Sequence, residues 1–200
     1  MKIFVIGDTH FSHTNIIKYC DRPFKSSVEM DETLIDNWNG VVSDDDLVIH
    51  VGDFALGGDP NKAVNIMRRL NGRIILTPGN HDRNDFLKAY RKAFGFDKIS
   101  IKQYYSTLFQ EGKTVLFSHY PTDVQFSFPE HPGYFPNPKG PLKGFLVSYH
   151  IHGHIHNKPS RFPQQYNVSV ECINYTPILL TEVLNTLYAA NGRSSQDNSR

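Results

Sequence analysis

Disulfides, membrane spans and an excess of either charge are all missing from this chain. Two cysteines, Cys20 and Cys172, are too few for a disulfide framework. No stretch approaches the roughly 18 apolar residues that a membrane span needs. The opening MKIFVIGDTH carries no apolar signal region and no cleavage site. Secreted, disulfide-stapled and membrane classes are therefore disfavoured, and a cytoplasmic location is expected. Lys and Arg number 21 against 20 Asp and Glu, a net charge of +1. That balance gives no global electrostatic footprint for long duplex DNA or a membrane surface, leaving only a local patch open.

What remains describes an ordinary globular chain with one oddity. Its 200 residues fit a single domain over 1–190, followed by a polar, fraying tail over 191–200 (NGRSSQDNSR). Histidine is the outlier, with ten copies. Lys2–Gly7, Leu47–Val51 and Arg73–Thr77 are short apolar runs that predict buried strands. Between them, Val28–Trp38 and a segment opening at Asp59-Pro60 carry helical spacing, and Asp85–Phe94 follows as a third helix. This alternation predicts a parallel or mixed sheet with crossover helices. The second half changes character. Ile99–Gln103, Tyr105–Gln110, Thr114–Ser118, Phe145–His150 and Tyr166–Val170 read as strands, with a hairpin turn at Glu111-Gly112. Pro177–Ala189 reads as a last strand turn and helix. The expected class is α/β, two mixed β-sheets sandwiched between helices.

The chemistry gathers where strands end. The first three strands run into Asp8 and His10, then Asp53, then Asn80, His81 and Asp82. Two later ones run into His119 and into His154 and His156. In open α/β sheets, ligands bind at the carboxyl ends of strands, so these groups converge on one crevice. A single Gly-Asp after a strand is an ordinary turn; five such ends supplying Asp, Asn and His exceed what turns require. Mixed carboxylate and imidazole donors suit Mn, Fe, Zn or Ni rather than Ca. The absence of thiolates from the set argues against a structural zinc knuckle. The donors outnumber the needs of one ion, which points to a two-metal site of the kind that clamps a phosphoryl displacement.

These residues resemble the calcineurin-like metallophosphoesterases, in particular small stand-alone bacterial and phage phosphoesterases. The shared pattern stands here as Asp8-Thr9-His10, Gly52-Asp53, Gly79-Asn80-His81-Asp82, His119 and Gly153-His154-Ile155-His156. The resemblance implies that Asp8, His10 and His156 hold one divalent ion, that Asn80, His119 and His154 hold a second, and that Asp53 bridges them. Manganese is the first choice. A water shared between the ions would lose its proton and attack phosphorus in line, with His81 protonating the leaving alkoxide. Asp82 is assigned to the catalytic set beside His81, either orienting it or capping the next helix. The Gly-Asp-x-x-Asp form of the middle motif is absent, since Gly52-Asp53-Phe54-Ala55-Leu56 stands there. That departure distances the chain from the protein Ser/Thr phosphatases.

His13, Arg83 and His152 are the candidate substrate contacts. Each has a plainer alternative: a solvated loop histidine, a first-turn helix arginine, and a histidine packed behind the ligands. His50 and His150 read as core or hydrogen-bonded histidines. The Pro- and aromatic-rich segment 120–143, with Phe126, Phe128, Tyr134 and Phe135, is either a lid that stacks on a base or a small local core. The expected activity is a phosphodiesterase acting on a nucleotide or short nucleic-acid fragment. A phosphomonoesterase, a metal-dependent nuclease and a non-catalytic scaffold of the same fold are the alternatives. The oligomeric state is not legible.

Overall fold

The computed structural model describes residues 1–102, 105–110, 113–121 and 147–197. Strands β1 (Ile3–Ile6), β2 (Leu47–His50) and β3 (Arg73–Leu76) pair in parallel with no register slip, Ile3 opposite Leu47 and Leu47 opposite Arg73. Their near-continuous apolar character follows from burial on both faces: Val48 and His50 point one way, Ile49 the other, and all three are buried. A fourth parallel strand, β4 (Ile99–Ile101), joins β3, and β9 (Ile178–Leu179) adds antiparallel to β1. The second sheet has the order β5 (Tyr105–Gln110), β6 (Lys113–Ser118), β7 (Tyr149–His152), β8 (Gln165–Asn167), antiparallel between the first two and parallel thereafter. The architecture is therefore α/β with two mixed sheets.

The helices begin where the sequence signals them. Helix α2 (Ser27–Val41) is capped by the Ser26 hydroxyl, which accepts the Glu29 N–H, and it buries Met30, Leu34, Ile35 and Trp38. Helix α3 (Pro60–Arg69) carries proline in its first turn, and the Asp59 carboxylate accepts the Asn61 N–H. Helix α4 (Asn84–Lys98) breaks its helical dihedrals at Gly95, φ 58°, just after the expected end at Phe94. Helix α1 (Thr14–Tyr19), only six residues long, was not expected.

Three boundaries differ from expectation. Strand β7 runs on to His152, because its pairing with β6 continues as far as Ser118. Strand β8 stops at Asn167, short of the predicted end at Val170, and a 3₁₀ turn over Val170–Cys172 begins there. Helix α5 (Leu180–Asp197) extends beyond Ala189, where the sequence predicted its end. The hairpin turn at Glu111-Gly112 and the aromatic segment from residue 122 to 143 lie outside the described residues. Among the described residues no helix is long and apolar enough to cross a membrane.

Just beyond β1 and β8 the two sheets meet. The Gly7 N–H donates to the Val168 carbonyl (2.8 Å), and the Val170 N–H donates to the Gly7 carbonyl (3.1 Å). This junction sets the loop after β1 against the loops that follow the second sheet.

Candidate metal centre

Each strand end delivers its polar side chains through a bent loop. Asp8, His10, Asp53, His154 and His156 all sit in the left-handed region, with φ of 55°, 50°, 55°, 71° and 50°. That conformation costs roughly 1–2 kcal/mol per non-glycine residue, so the surrounding contacts must hold it in place. The loops are laced to one another by backbone bonds: Asp8 N–H to the Gly52 carbonyl, His10 N–H to the Asp53 carbonyl, and Gly153 N–H to the His119 carbonyl, each 3.0 Å. Glycine is needed where the loops touch. A Cβ on Gly79 would overlap Asp53 Oδ1, and one on Gly153 would overlap Asp8 Oδ2.

The side chains then converge. Asp8 Oδ2 accepts the His154 N–H and the Ser169 hydroxyl, both at 2.9 Å, while its Oδ1 is buried without a partner. His10 Nε2 is likewise buried without a hydrogen bond. The donor atoms of Asp8, His10 and His156 lie within 4.8 Å of one another. On the other side, His119 Nδ1 donates to the Val51 carbonyl (3.0 Å), which aims Nε2 into the site. That nitrogen faces Asn80 Oδ1 at 2.9 Å, His154 Nδ1 at 3.2 Å and Asp53 Oδ2 at 3.4 Å. Asp53 Oδ2 is also 3.4 Å from His10 Nε2. One carboxylate oxygen thus stands between two imidazole nitrogens, 3.4 Å from each.

The electrostatics show a pocket short of positive charge. Burial raises the Asp8 pKa, with Asp53 and Glu171 adding to the rise against His119 and His156. Burial opposes ionisation of Asp53 too, but His119 and His10 outweigh it and hold that carboxyl below its ordinary range. His119 is buried, yet Asp53, Asp8 and Asp82 push it up to about 9. Unpaired buried donors and crowded carboxylates answer to a cation, so the residues present fit divalent metal binding.

The remaining candidates divide. The His81 ring stands edge-on to His10 with centroids 5.2 Å apart, and its backbone N–H donates to Asp53 Oδ1 (2.8 Å). The His13 ring lies 5.2 Å from that of His10, with Nδ1 atoms 3.3 Å apart. Asp82 is corrected. Its carboxylate accepts three backbone N–H groups, from Asp53 (2.7 Å), Phe54 (3.0 Å) and Gly79 (2.8 Å), and so clamps the β2 loop to the β3 loop. It does not cap α4 either, whose N-cap is Arg83. Arg83, at the N-cap of α4, pairs with Asp85 and lies over the Phe86 ring, so its guanidinium is engaged on the helix start. His152 is fully buried, bonded to the Gly153 carbonyl (2.9 Å) and Ser160 Oγ (3.0 Å), so it cannot touch substrate. Tyr120 packs its ring on His119 and His154.

His50 and His150 are hydrogen-bonded as expected, and in matching ways. The Gly52 N–H donates to His50 Nδ1, so Nε2–H donates to Thr9 Oγ1, whose hydroxyl donates to the Phe54 carbonyl. His150 Nε2 meets Ser118 Oγ at 2.8 Å, and that hydroxyl donates to the Tyr120 carbonyl. Each chain of bonds braces a ligand loop. Sequence reasoning missed Arg22, Asp31, Ser169 and Glu171. Arg22 is buried and donates to the Asp8 (2.7 Å) and Thr9 (3.0 Å) carbonyls, and Asp31 accepts the Ser12 N–H (2.8 Å). Only Glu171 left a trace in the sequence, as an acid inside the apolar run VSVECI.

Comparison with known proteins points the same way. The family model for calcineurin-like phosphoesterases matches residues 1–158. The uncharacterised protein MJ1445 of Methanocaldococcus jannaschii is 37% identical over 183 residues, covering 90% of this chain and 87% of that one. The crystal structure of AQ665 from Aquifex aeolicus, a protein of unknown function, superposes with a TM-score of 0.71 at 27% identity, over 92% of this chain and 98% of that one. The E. coli phosphoesterase Yfce is a remote likeness, with TM-score 0.38 and 15% identity over 84% and 78% of the two chains.

Proposed function

The chain belongs to the calcineurin-like phosphoesterase family, metal-dependent phosphoester hydrolases, and from that premise we propose a phosphodiesterase acting on a nucleotide or a short nucleic-acid fragment. Asp8, His10 and His156 would hold one ion and Asn80, His119 and His154 the other, with Asp53 shared. The observation that carries this assignment is Asp53 Oδ2, 3.4 Å from His10 Nε2 and 3.4 Å from His119 Nε2. Divalent cations bound there would draw charge from the phosphoryl oxygens and acidify water for in-line attack. The donors suit Mn, with Fe, Zn and Ni as alternatives.

His81 is the general acid of this proposal. Its ring stands beside His10 and is partly exposed, and its main chain is tied to Asp53, so the imidazole is held next to the reacting phosphate. His13 lines the same side as a substrate contact. The diester preference is supported by where the nearby arginines go. A monoester brings a second negative charge, but Arg83 is paired with Asp85 and Arg22 is buried against Glu171. The free cysteines Cys20 and Cys172 suit a cytoplasmic setting.

The test compares hydrolysis of bis-p-nitrophenyl phosphate and p-nitrophenyl phosphate by metal-stripped protein reloaded with Mn²⁺. Faster turnover of the diester is expected. Preference for the monoester would replace this proposal with a phosphatase, and turnover of neither would favour a scaffold.

A further inference from the structure

We infer that Glu171 is a positioning residue for one of the two metal sites, aiming His156 while Arg22 locks it to the Asp8 loop. The inference rests on the two-metal assignment proposed above. His156 Nδ1 lies 3.1 Å from Glu171 Oε1. An ionised carboxylate only accepts, so Nδ1 carries the hydrogen and the Nε2 lone pair is left for a cation beside Asp8 and His10. The Glu171 side chain is only 4% exposed, and its Oε1 also takes Arg22 Nη2 at 2.7 Å and Nε at 2.9 Å. The same guanidinium donates to the Asp8 and Thr9 carbonyls. One buried arginine thus fixes the backbone of one ligand and the carboxylate that orients another.

The arrangement is one-sided. In the other group, His119 is oriented by a neutral carbonyl, that of Val51, and not by a carboxylate. Loss of Glu171 must therefore fall on the Asp8–His10–His156 site selectively. The donor atoms of Cys20, His156 and Glu171 also lie within 4.8 Å of one another. The Arg22 charge held against Glu171 disfavours a separate cation there.

The experiment is calorimetric titration of metal-stripped protein with Mn²⁺, read as two binding steps. Glu171→Gln keeps the shape and removes the charge. Glu171→Asp keeps the charge opposite Arg22 but shortens the reach to His156, and it carries the test if the first variant does not fold. Each is expected to weaken one step by about tenfold to a hundredfold and to leave the other at its wild-type affinity. Two unchanged steps in a folded variant would overturn the inference, as would equal weakening of both, which marks a general structural role. Wild-type protein that fails to bind two ions would instead overturn the two-metal assignment itself.

Discussion

His81 donates its backbone N–H to Asp53 Oδ1 at 2.8 Å, joining the proposed acid to the proposed shared carboxylate across two strand-end loops. The bond belongs to the main chain, so it survives removal of the imidazole. His81→Ala should therefore lower kcat by about 10²–10⁴-fold, the usual contribution of a general acid. Its Mn²⁺ affinity should stay at the wild-type value. Loss of metal in step with activity would show His81 to be structural.

Gly79 makes a second prediction. Besides overlapping Asp53 Oδ1, a Cβ there would stand 2.8 Å from two atoms of the His119 ring. Both neighbours are held by other bonds, so neither can retreat freely. Gly79→Ala should cost about 1–3 kcal/mol in urea unfolding, the range for overpacking, and at least tenfold in Mn²⁺ affinity. Unchanged values on both counts would mean that the loop yields more easily than its contacts indicate.

Asp82 separates positioning from proton chemistry. Its two oxygens serve three backbone donors, and an asparagine would turn a donating NH₂ toward at least one of them. Asp82→Asn should lose about 1–3 kcal/mol of stability, the penalty for an unsatisfied buried donor. The pH–rate profile should keep its limbs in place, because the carboxylate contacts main chain rather than the His81 ring. A shifted limb would restore Asp82 to the proton path.

Acid should destabilise the fold through its buried neutral histidines. Burial lowers the His50 pKa to about 3, and burial with the neighbouring His152 lowers that of His150 well below the ordinary value of 6.5. The unfolded chain takes up protons below pH 6.5 that the folded chain refuses. Stability supplied by neutral His50 is therefore complete above pH 6.5 and lost as pH falls from 6.5 toward 3. The slope is about 1.4 kcal/mol per pH unit for each such histidine. Urea unfolding at pH 7 and pH 5 should show a smaller drop for His150→Gln than for wild type. An equal drop would contradict the assignment.

Much of the site is readable along the chain because its donors are local. Asp8, Asp53, Asn80, His119 and the His154/His156 pair each follow directly on an apolar strand, and parallel strands point their ends the same way. What braces them is not local. Arg22 meets Glu171 across 149 residues, and Ser169 meets Asp8 across 161. No periodicity or motif links such positions. Asp82 is visible in the motif, but only the fold shows that its carboxylate turns back onto the main chain of Asp53, Phe54 and Gly79. The last helix, predicted as far as Ala189, runs on to Asp197.

The central claim is that two cations share Asp53, and electron paramagnetic resonance on Mn²⁺-loaded protein tests it most directly. Wild-type protein should hold two Mn²⁺ per chain with an exchange-coupled spectrum. Asp53→Ala should lose the coupling and at least one ion. A single isolated Mn²⁺ signal in the wild type, or two uncoupled ions, would contradict the account.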